Sequence, residues 1–350
     1  MIKICKKIIS YKAPVFVVAE AGVNHNGRLD LALKLIDAAA FAGADAVKFQ
    51  TFRVEDVTTA SAKMADYQKK NLGKEESQLE MGRKLQLAER HWPILIERAK
   101  KRGIVFFSTP HGHIASADYL QKLKVPAFKF GSGDITNLPL LEHVAKFKKP
   151  IILGTGMSDL ETVKEAVTAI QKNGNRQIIV LHCTTDYPLA HENVNLLAMR
   201  TLMKESGALV GYSDHTLGSQ VAVMATAMGA CMIEKHLTLD KTLPGPDHIA
   251  SMEPLEFQEM VKQIRKATTI LGKPEKKLLA CEKQYVPLVR KSLVASQKIK
   301  KGEKFNARNL TVKRPGTGIL PKRFGEVLGK EATQTIPKDT LLTEEMIGFS

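Results

Sequence analysis

The sequence predicts a fold of the α/β class, a (β/α)8 (TIM) barrel followed by a small β-rich domain. Eight short runs rich in β-branched and aromatic residues recur between residues 15 and 236. Segments with apolar residues at three- and four-residue spacing separate them, as expected for amphipathic helices. With a final helix at about 254–271, this alternation has the unit count of a (β/α)8 barrel. After residue 272, short strand-like runs and turn signals replace the helical pattern.

The predicted strands follow one another at fairly regular intervals. They are 15–20 (VFVVAE), 45–50 (DAVKFQ), 104–109 (IVFFST), 127–131 (AFKFG), 150–154 (PIILG), 178–183 (IIVLHC), 208–212 (ALVGY) and 231–236 (CMIEKH). The clearest helices are 29–44 and 160–174, and the long interval 51–90 is interpreted as an insertion or lid. A doubly wound open sheet is the alternative, but AGVNHNG after the first strand lacks its G-x-G-x-x-G phosphate-binding pattern.

The change of pattern after residue 272 predicts three segments: a barrel domain at 1–272, a linker at 273–290 and a small domain at 291–350. Charge is distributed unevenly along the 350 residues. The formal net charge is +16, and from residue 273 onward 17 Lys or Arg residues stand against 8 Asp or Glu residues. A solvated lysine-rich surface is the simplest interpretation, and attraction of anionic small substrates is the second. Nucleic-acid binding is disfavoured, because no zinc-finger spacing and no basic stretch interleaved with aromatic residues occurs.

The sequence also predicts the compartment. No apolar run reaches the roughly 18 residues of a membrane span, and MIKICKKIISYKAP is not a secretory signal. The cysteines at positions 5, 183, 231 and 281 are scattered, without a C-x-x-C pair. We therefore expect reduced thiols in a cytoplasmic protein without a membrane partner.

Polar residues collect where the predicted strands end. Strand side chains alternate between faces, so Glu234 and His236 share one face of the eighth strand, and Lys48 and Gln50 share one face of the second. Lys235 points the other way, towards the helix layer. Catalytic residues of a (β/α)8 barrel lie at these strand ends. A single Ser or Thr at the end of a strand commonly caps the next helix. Polar residues at the ends of all eight strands instead predict a catalytic site at this end of the barrel, called the mouth here.

The residue types at this mouth indicate its chemistry. Two lysines, four hydroxyl groups and the amides of two glycine turns suit phosphate and carboxylate oxygens: Lys48, Lys129, Thr109, Ser132, Thr155 and Ser213. His215 and His236 lie on neighbouring strands and could share one divalent ion, with Glu20 nearby. Two histidines leave coordination positions open, as in a catalytic site, and zinc, manganese and magnesium all remain possible. The sequence therefore predicts metal-assisted chemistry on a small phosphorylated acid.

A series of motifs spans almost the whole chain in order. They are AEAGVNHNG (19–27), VKFQT (47–51), STP (108–110), FKFGSGD (128–134), GTGMS (154–158), LHCTTDYP (181–188), GYSDHTLG (211–218), IEKHLTLD (233–240), PGPDH (244–248) and VKRPGTGI (312–319). In these motifs the chain resembles the sialic acid synthase family, which condenses phosphoenolpyruvate with N-acetylmannosamine. The resemblance implies a barrel followed by an antifreeze-like (SAF, β-clip) domain that reaches into the partner's barrel in a domain-swapped homodimer.

The resemblance also implies residue roles. His215 and His236 would bind the divalent metal, typically Mn²⁺, with Mg²⁺ or Co²⁺ possible. Phosphoenolpyruvate would be held by Lys48, Thr109, Lys129, Ser132, Thr155 and Ser213, with Thr185 nearby. The amino sugar would face Glu20, Gln50, Asp134, Tyr187, Glu234 and Asp247. Arg314 would come from the other subunit and contact the N-acyl group.

The implied reaction begins when C3 of phosphoenolpyruvate attacks the sugar's aldehyde carbon, whose oxygen the metal polarises. Water captures the oxocarbenium at C2, and the tetrahedral intermediate expels phosphate with C–O cleavage, giving N-acetylneuraminate. Glu20 or Glu234 would open the sugar ring or activate the water, and the sequence does not assign which.

Three departures from the family pattern bear on the acceptor sugar. Gly154 and Thr185 stand where some members have Ser and Asn, and Asp134 replaces a Glu. The alternative acceptor is a 2,4-diacetamido-2,4,6-trideoxyhexose, which would give legionaminic or pseudaminic acid. A non-catalytic sugar-binding module is disfavoured, because binding alone would need neither the histidine pair nor both lysines.

Overall fold

The computed structural model describes residues 1–73 and 75–348 and divides the chain into two compact units. The first unit spans Met1–Gly272, and the second begins at Lys273. The small domain predicted to end at 350 is described only to residue 348, and position 74 of the predicted insertion also lies outside the described residues.

The strands and helices of the first unit alternate over most of its length. Its strands are β1 (Ile2–Ile4), β2 (Lys7–Ile9), β3 (Phe16–Gly22), β4 (Ala46–Thr51), β5 (Val105–Pro110), β6 (Phe128–Phe130), β7 (Ile151–Gly154), β8 (Ile178–His182), β9 (Leu209–Asp214) and β10 (Met232–His236). Its α-helices are α1 (Leu29–Phe41), α2 (Val54–Val57), α3 (Asp66–Leu72), α4 (Gln78–Leu85), α5 (Trp92–Arg102), α6 (Ile114–Lys122), α7 (Leu138–Ala145), α8 (Leu160–Lys172), α9 (Ala198–Glu205), α10 (Gln220–Ala227) and α11 (Pro254–Leu271). In the described part of the chain, no helix combines the length and apolarity needed to cross a membrane.

Strands β3 to β10 form a closed parallel barrel in which β10 pairs with β3. This confirms the predicted (β/α)8 fold. The strand register sets polar residues of adjacent strands side by side: His236 pairs with Glu20, and Glu20 pairs with Lys48. Helices cover the outer face of the barrel, so β3 is buried along its whole length. The fold thus brings residues from distant parts of the sequence to one level at one end of the barrel.

The opposite end of the barrel is closed by an antiparallel hairpin of β1 and β2, which the sequence analysis did not predict. Ile2, Ile4 and Ile9 of this hairpin pack in one apolar cluster with the inward-facing Phe16 and Met232 at the start of barrel strands. The hairpin therefore covers the apolar end of the barrel interior.

We expect Ile4→Ala to lower the free energy of unfolding by about 2–3 kcal/mol, since it leaves a cavity in this cluster. Ile4 is fully buried, whereas Ile8 on the same hairpin is 51% exposed. Ile8→Ala is the matched control and should change stability by less than about 0.5 kcal/mol. Urea denaturation followed by the fluorescence of Trp92, the single tryptophan, measures both. Equal losses of unfolding free energy in the two variants would contradict the packing of the hairpin over the end of the barrel interior.

The segment between β4 and α5 contains three short helices, α2 to α4, and is called the insertion segment here (residues 52–73 and 75–88). Met64, Met81 and Leu85 of this segment pack with Val23 in a separate apolar cluster. Asn71 on α3 donates a hydrogen bond from Nδ2 to the carbonyl oxygen of Pro246 (2.7 Å). These contacts hold the insertion segment against the loops that follow β3 and β10.

The second unit is built around a small antiparallel sheet of β11 (Ser292–Ala295) and β12 (Leu310–Lys313). Its own core includes Leu293, Phe305 and Ile336. Two short α-helices, α12 (Val286–Val289) and α13 (Phe324–Val327), accompany the sheet. The end of the predicted linker is structured, because the amide of Gly316 donates to the carbonyl oxygen of Pro287 (2.8 Å).

Candidate active site

A cavity of about 540 Å³ opens at the carboxyl ends of the barrel strands. Its volume is in the range of small-molecule sites. The structure brings most of the predicted site residues into its lining: Glu20, Lys48, Gln50, Thr109, Lys129, Ser132, Thr185, Tyr187, Ser213, His215, Glu234, His236 and Asp247.

Three predicted site residues have other surroundings. Asp134 is buried and accepts from His111 Nδ1 (3.1 Å), and it is His111 that lines the cavity. The hydroxyl of Thr155 donates to the carbonyl oxygen of Leu181 (3.0 Å), which commits it to the barrel backbone. Arg314 belongs to the second unit, where its Nε donates to the carbonyl oxygen of Val289 (3.1 Å).

Two lysines and two glutamates form a buried ionic network at the base of the cavity. Lys48 Nζ lies 2.8 Å from Glu20 Oε2 and 4.0 Å from Glu234 Oε1. Lys129 Nζ lies 3.2 Å from the same Glu234 oxygen. All four side chains are almost completely buried, so their mutual attraction is weakly screened by solvent.

Neutral groups complete this network. Ser213 Oγ donates to Glu234 Oε1 (3.2 Å), and Gln50 Nε2 donates to Glu20 Oε1 (3.1 Å). Lys48 Nζ donates to the hydroxyl of Thr109 (3.3 Å). Glu234 Oε2 is buried and has no hydrogen-bond partner among the described residues. Buried carboxylate oxygens normally have such a partner, so this oxygen lacks a hydrogen bond that its surroundings would be expected to supply.

The two carboxyl groups have opposite pKa shifts. Burial raises the pKa of Glu20, and Glu234 adds to this effect although Lys48 opposes it. Burial acts in the same direction on Glu234, but Lys129 and Lys48 together hold its pKa well below the usual range. Burial also disfavours the charge of Lys48, yet Glu20 and Glu234 raise its pKa overall. Glu234 is the more strongly ionised of the two acids, and Glu20 holds a proton more readily.

Small residues make room for hydroxyl groups at one side of the cavity. A Cβ atom at Gly156 would stand 2.2 Å from Thr185 Oγ1 and 2.8 Å from Ser132 Oγ, so a larger residue there would displace these two hydroxyl groups. The amide of Gly156 donates to Ser132 Oγ (2.9 Å) and to Cys183 Sγ (3.2 Å). Thr185 Oγ1 is buried without a hydrogen-bond partner in the described residues. Cys183 also lines this wall, and its position directly after β8 is the signal that could have identified it.

The two predicted metal-ligating histidines lie together. Their ring centroids are 5.8 Å apart, and Tyr187 packs against both, 4.1 Å from His215 and 5.6 Å from His236. His215 Nδ1 donates to the carbonyl oxygen of Thr184 (2.6 Å), so its proton is on Nδ1 and its Nε2 lone pair is free. Such a bond commonly fixes the orientation of a metal-binding imidazole.

Both imidazoles are in the form that binds a metal. Burial lowers the pKa of His215 to about 4 and lowers that of His236 well below its usual range, so both rings are neutral at physiological pH. His236 Nδ1 is buried without a hydrogen-bond partner among the described residues, and Asp247 Oδ2 lies 4.0 Å away. In the same described part, no group of three or more His, Cys, Asp or Glu side chains is arranged to hold a metal. The donor set fits a divalent ion that takes further ligands from water or substrate.

The insertion segment supplies an apolar wall of the cavity, which was not identified from the sequence. The insertion segment contributes Phe52, Val54, Val57, Met64, Met81 and Leu85 to the cavity lining, together with the polar side chains of Thr58, Lys63, Gln68 and Gln78. Tyr67 on α3 packs against Tyr187, with the ring centroids 5.1 Å apart. Met81 and Leu85 lie one helical turn apart in α4, and this apolar spacing is the sequence feature that could have identified the wall.

The fold and cavity define a (β/α)8-barrel protein with a polar site at the carboxyl ends of its strands. The profile of the NeuB family matches residues 35–276, and that of the SAF domain matches residues 290–348. The chain belongs to the NeuB family. This confirms the resemblance and the predicted type of C-terminal domain.

Individual relatives match over nearly the whole chain. The N,N'-diacetyllegionaminic acid synthase of Campylobacter jejuni is 48% identical over 94% of this chain and 98% of its own length. The synthase of the same name from Legionella pneumophila is 44% identical over 95% of this chain and 94% of its own. The crystal structure of N-acetylneuraminic acid (sialic acid) synthetase from Leptospira borgpetersenii has a TM-score of 0.72 and 33% identity, covering 81% of this chain and 94% of that one.

Proposed function

We propose that this chain condenses phosphoenolpyruvate with an N-acetylated amino sugar and water, and releases phosphate by C–O cleavage. The observation that carries the proposal is one cavity containing two buried lysines, two buried glutamates and a pair of neutral histidines. The family membership and the acid synthases among the relatives support the same reaction.

For the acceptor, we propose a 2,4-diacetamido-2,4,6-trideoxyhexose, giving an acid of the legionaminic type. Relative to N-acetylmannosamine, this sugar has a methyl group in place of the C6 hydroxymethyl and an acetamido group in place of the C4 hydroxyl. The apolar wall of the insertion segment suits these extra methyl groups, and the names of the relatives from Campylobacter and Legionella support the choice. N-acetylmannosamine, the first expectation from the sequence, is the second candidate and is supported by the Leptospira structure. The stereoisomeric acceptor that gives pseudaminic acid is a further candidate, and it is assayed together with these two sugars.

The lysines hold the anionic substrate. Lys48 and Lys129 have their ammonium groups at the base of the cavity, where the carboxylate and phosphate oxygens of phosphoenolpyruvate find charge-assisted donors. Ser132 and Thr185 add hydroxyl groups at the adjacent wall. Burial of these donors excludes water and strengthens each contact.

His215 and His236 would hold the divalent metal, for which we propose Mn²⁺, with Mg²⁺ or Co²⁺ as alternatives. When bound, such an ion supplies a Lewis acid for the aldehyde oxygen of the open-chain sugar. Thr184 fixes the ring of His215 so that Nε2 is presented for binding.

The two glutamates have different roles in this proposal. Glu20 holds a proton more readily, so it is suited to deliver one to the sugar's ring oxygen or to take one from a hydroxyl during ring opening. Glu234 stays ionised, holds Lys129 in place and presents Oε2 to accept a hydrogen bond from the attacking water. Asp247 and Tyr187 lie beside the histidine pair and would orient the sugar.

We also propose a homodimer in which Arg314 of one subunit contacts the acceptor in the other. Its guanidinium is exposed on the second unit and binds a single carbonyl oxygen among the described residues, which leaves donors for an acyl group. A monomeric mass in analytical ultracentrifugation at micromolar concentration would contradict this arrangement.

The free cysteines support the cytoplasm as compartment.

The test of the reaction is phosphate release by the purified full-length protein. It is incubated with phosphoenolpyruvate, Mn²⁺ and, separately, N-acetylmannosamine and the stereoisomeric 2,4-diacetamido-2,4,6-trideoxyhexoses. We expect the highest kcat/KM with the diacetamido sugar that gives the legionaminic-type acid, and at least tenfold less with N-acetylmannosamine, since one extra carbon group in an apolar pocket is worth about 1–3 kcal/mol. Faster turnover of N-acetylmannosamine would reverse the choice of acceptor, and no phosphate release from any sugar would refute the synthase.

A further inference from the structure

A second buried ion pair lies on the outer face of the barrel, behind the histidine pair. Lys235 Nζ is 2.8 Å from Asp214 Oδ2, and both side chains have no exposed surface. Lys235 is on the face of β10 opposite to Glu234 and His236, towards the helix layer, as the strand alternation predicts. The substrate cavity is not lined by either residue within the described part of the chain.

Stability alone does not account for this pair. Removing two charges from water costs several kcal/mol for each ion, and well-packed apolar residues of similar volume often give equal or greater stability. An ion pair at a fully buried position therefore suggests a geometric role. The surrounding contacts show what that geometry fixes.

The pair also fixes the backbone on both sides of His215. Asp214 Oδ1 accepts from the amide (3.0 Å) and the hydroxyl (2.8 Å) of Thr216. Lys235 Nζ donates a further hydrogen bond to the carbonyl oxygen of Thr216. His215 lies between Asp214 and Thr216, which these bonds join. The carbonyl oxygen of His215 itself accepts a hydrogen bond from the amide of Leu189 (2.9 Å).

The same pair links the two strands that carry the histidines. Lys235 and Asp214 are paired across β10 and β9 in the strand register. Each residue directly precedes one of the two histidines, His236 and His215 respectively. One ion pair therefore joins the backbone positions immediately before both imidazoles, and a slip between β9 and β10 would have to break it.

We propose that Lys235 and Asp214 are positioning residues that set the separation of the His215 and His236 imidazoles for metal binding. This inference rests on the proposed metal role of the two histidines. Neither residue touches substrate or metal, and both act through the backbone of their neighbours. Outer-shell groups of this kind commonly change metal affinity by about 10–100-fold when they are replaced.

The test is Mn²⁺ binding to the full-length protein without substrates, measured by calorimetry and by electron paramagnetic resonance of free Mn²⁺. The double variant Asp214→Asn/Lys235→Met leaves no unpaired buried charge and keeps an oxygen for Thr216. We expect its dissociation constant for Mn²⁺ to rise at least tenfold. Val180→Ala is the matched control: Val180 is fully buried on β8, so this variant loses stability but should bind Mn²⁺ within twofold of the parent.

A second variant keeps the inference testable if the double variant does not fold. Thr216→Val removes only the hydroxyl bond to Asp214, and we expect Mn²⁺ affinity to fall about threefold. Unchanged affinity in the folded variants, with His236→Ala abolishing binding, would overturn the positioning role and leave the metal site intact. If the parent itself binds no Mn²⁺, the metal role and the positioning role both fail, whereas phosphate release without added metal would still support the synthase.

Discussion

Replacement of Glu234 by glutamine is expected to lower kcat/KM for phosphate release by about a thousandfold, within the range for loss of a positioned acid or base. Glu234 is the acceptor shared by Lys129 and Ser213, and Lys48 lies 4.0 Å from it. Glutamine keeps the shape but removes the negative charge that aligns the lysines. Its second polar atom becomes an amide donor, which cannot accept a hydrogen bond from the attacking water.

The effect should be divided between the kinetic constants in a recognisable way. Loss of the ion pair frees Lys129 to bind phosphoenolpyruvate, so the KM for that substrate should fall or stay constant while kcat carries the loss. Steady-state phosphate assays at 25 °C measure both constants, and circular dichroism verifies that the variant is folded. Glu165→Gln, an exposed position on α8, is the control and should be within twofold of the parent. A normal kcat with a raised KM would assign Glu234 to substrate binding instead.

The barrel was predictable because its strands carry a strong local signal. Each predicted strand coincides with an observed one to within two residues at either end. Buried parallel strands are covered on both faces, so they appear as short continuous runs of apolar residues with a polar end. The hairpin of β1 and β2 has no comparable signal. Its three-residue strands are defined by packing against the end of the barrel, a tertiary contact between distant residues.

The site was predictable where side chains lie on strands and less so where they lie in loops. The period of two places Lys48 with Gln50 and Glu234 with His236 correctly in the cavity lining. Thr155 directly follows β7, where the alternation ends, and its hydroxyl bonds to the backbone instead. The apolar wall escaped prediction because α2, α3 and α4 are each too short for a clear helical period.

Asp247 is expected to make the stability of the folded protein depend on pH. Its carboxyl group is buried beside Glu20, and burial first, then that neighbouring carboxylate, raises its pKa to about 7 although Lys48 opposes the shift. In the unfolded chain an aspartate has a pKa of about 3.9. Between these values the folded state binds more protons than the unfolded state, so the free energy of unfolding falls as pH rises from about 4 to about 7.

Asp247→Asn removes this contribution because the amide does not titrate. The stability of the variant relative to the parent should therefore rise by about 3–4 kcal/mol between pH 4.5 and pH 8, with most of the change below pH 7. Urea denaturation followed by Trp92 fluorescence measures the difference. EDTA is present so that a metal ion bound by His236, which lies 4.0 Å from this carboxylate, does not change the pKa of Asp247. Asp240→Asn is the control: a bond from Thr242 lowers the pKa of exposed Asp240, so it stays ionised in both states above pH 4.5 and its difference should be flat. A flat difference for Asp247→Asn as well would mean that Asp247 is already ionised in the folded protein at pH 5, which would contradict the raised pKa.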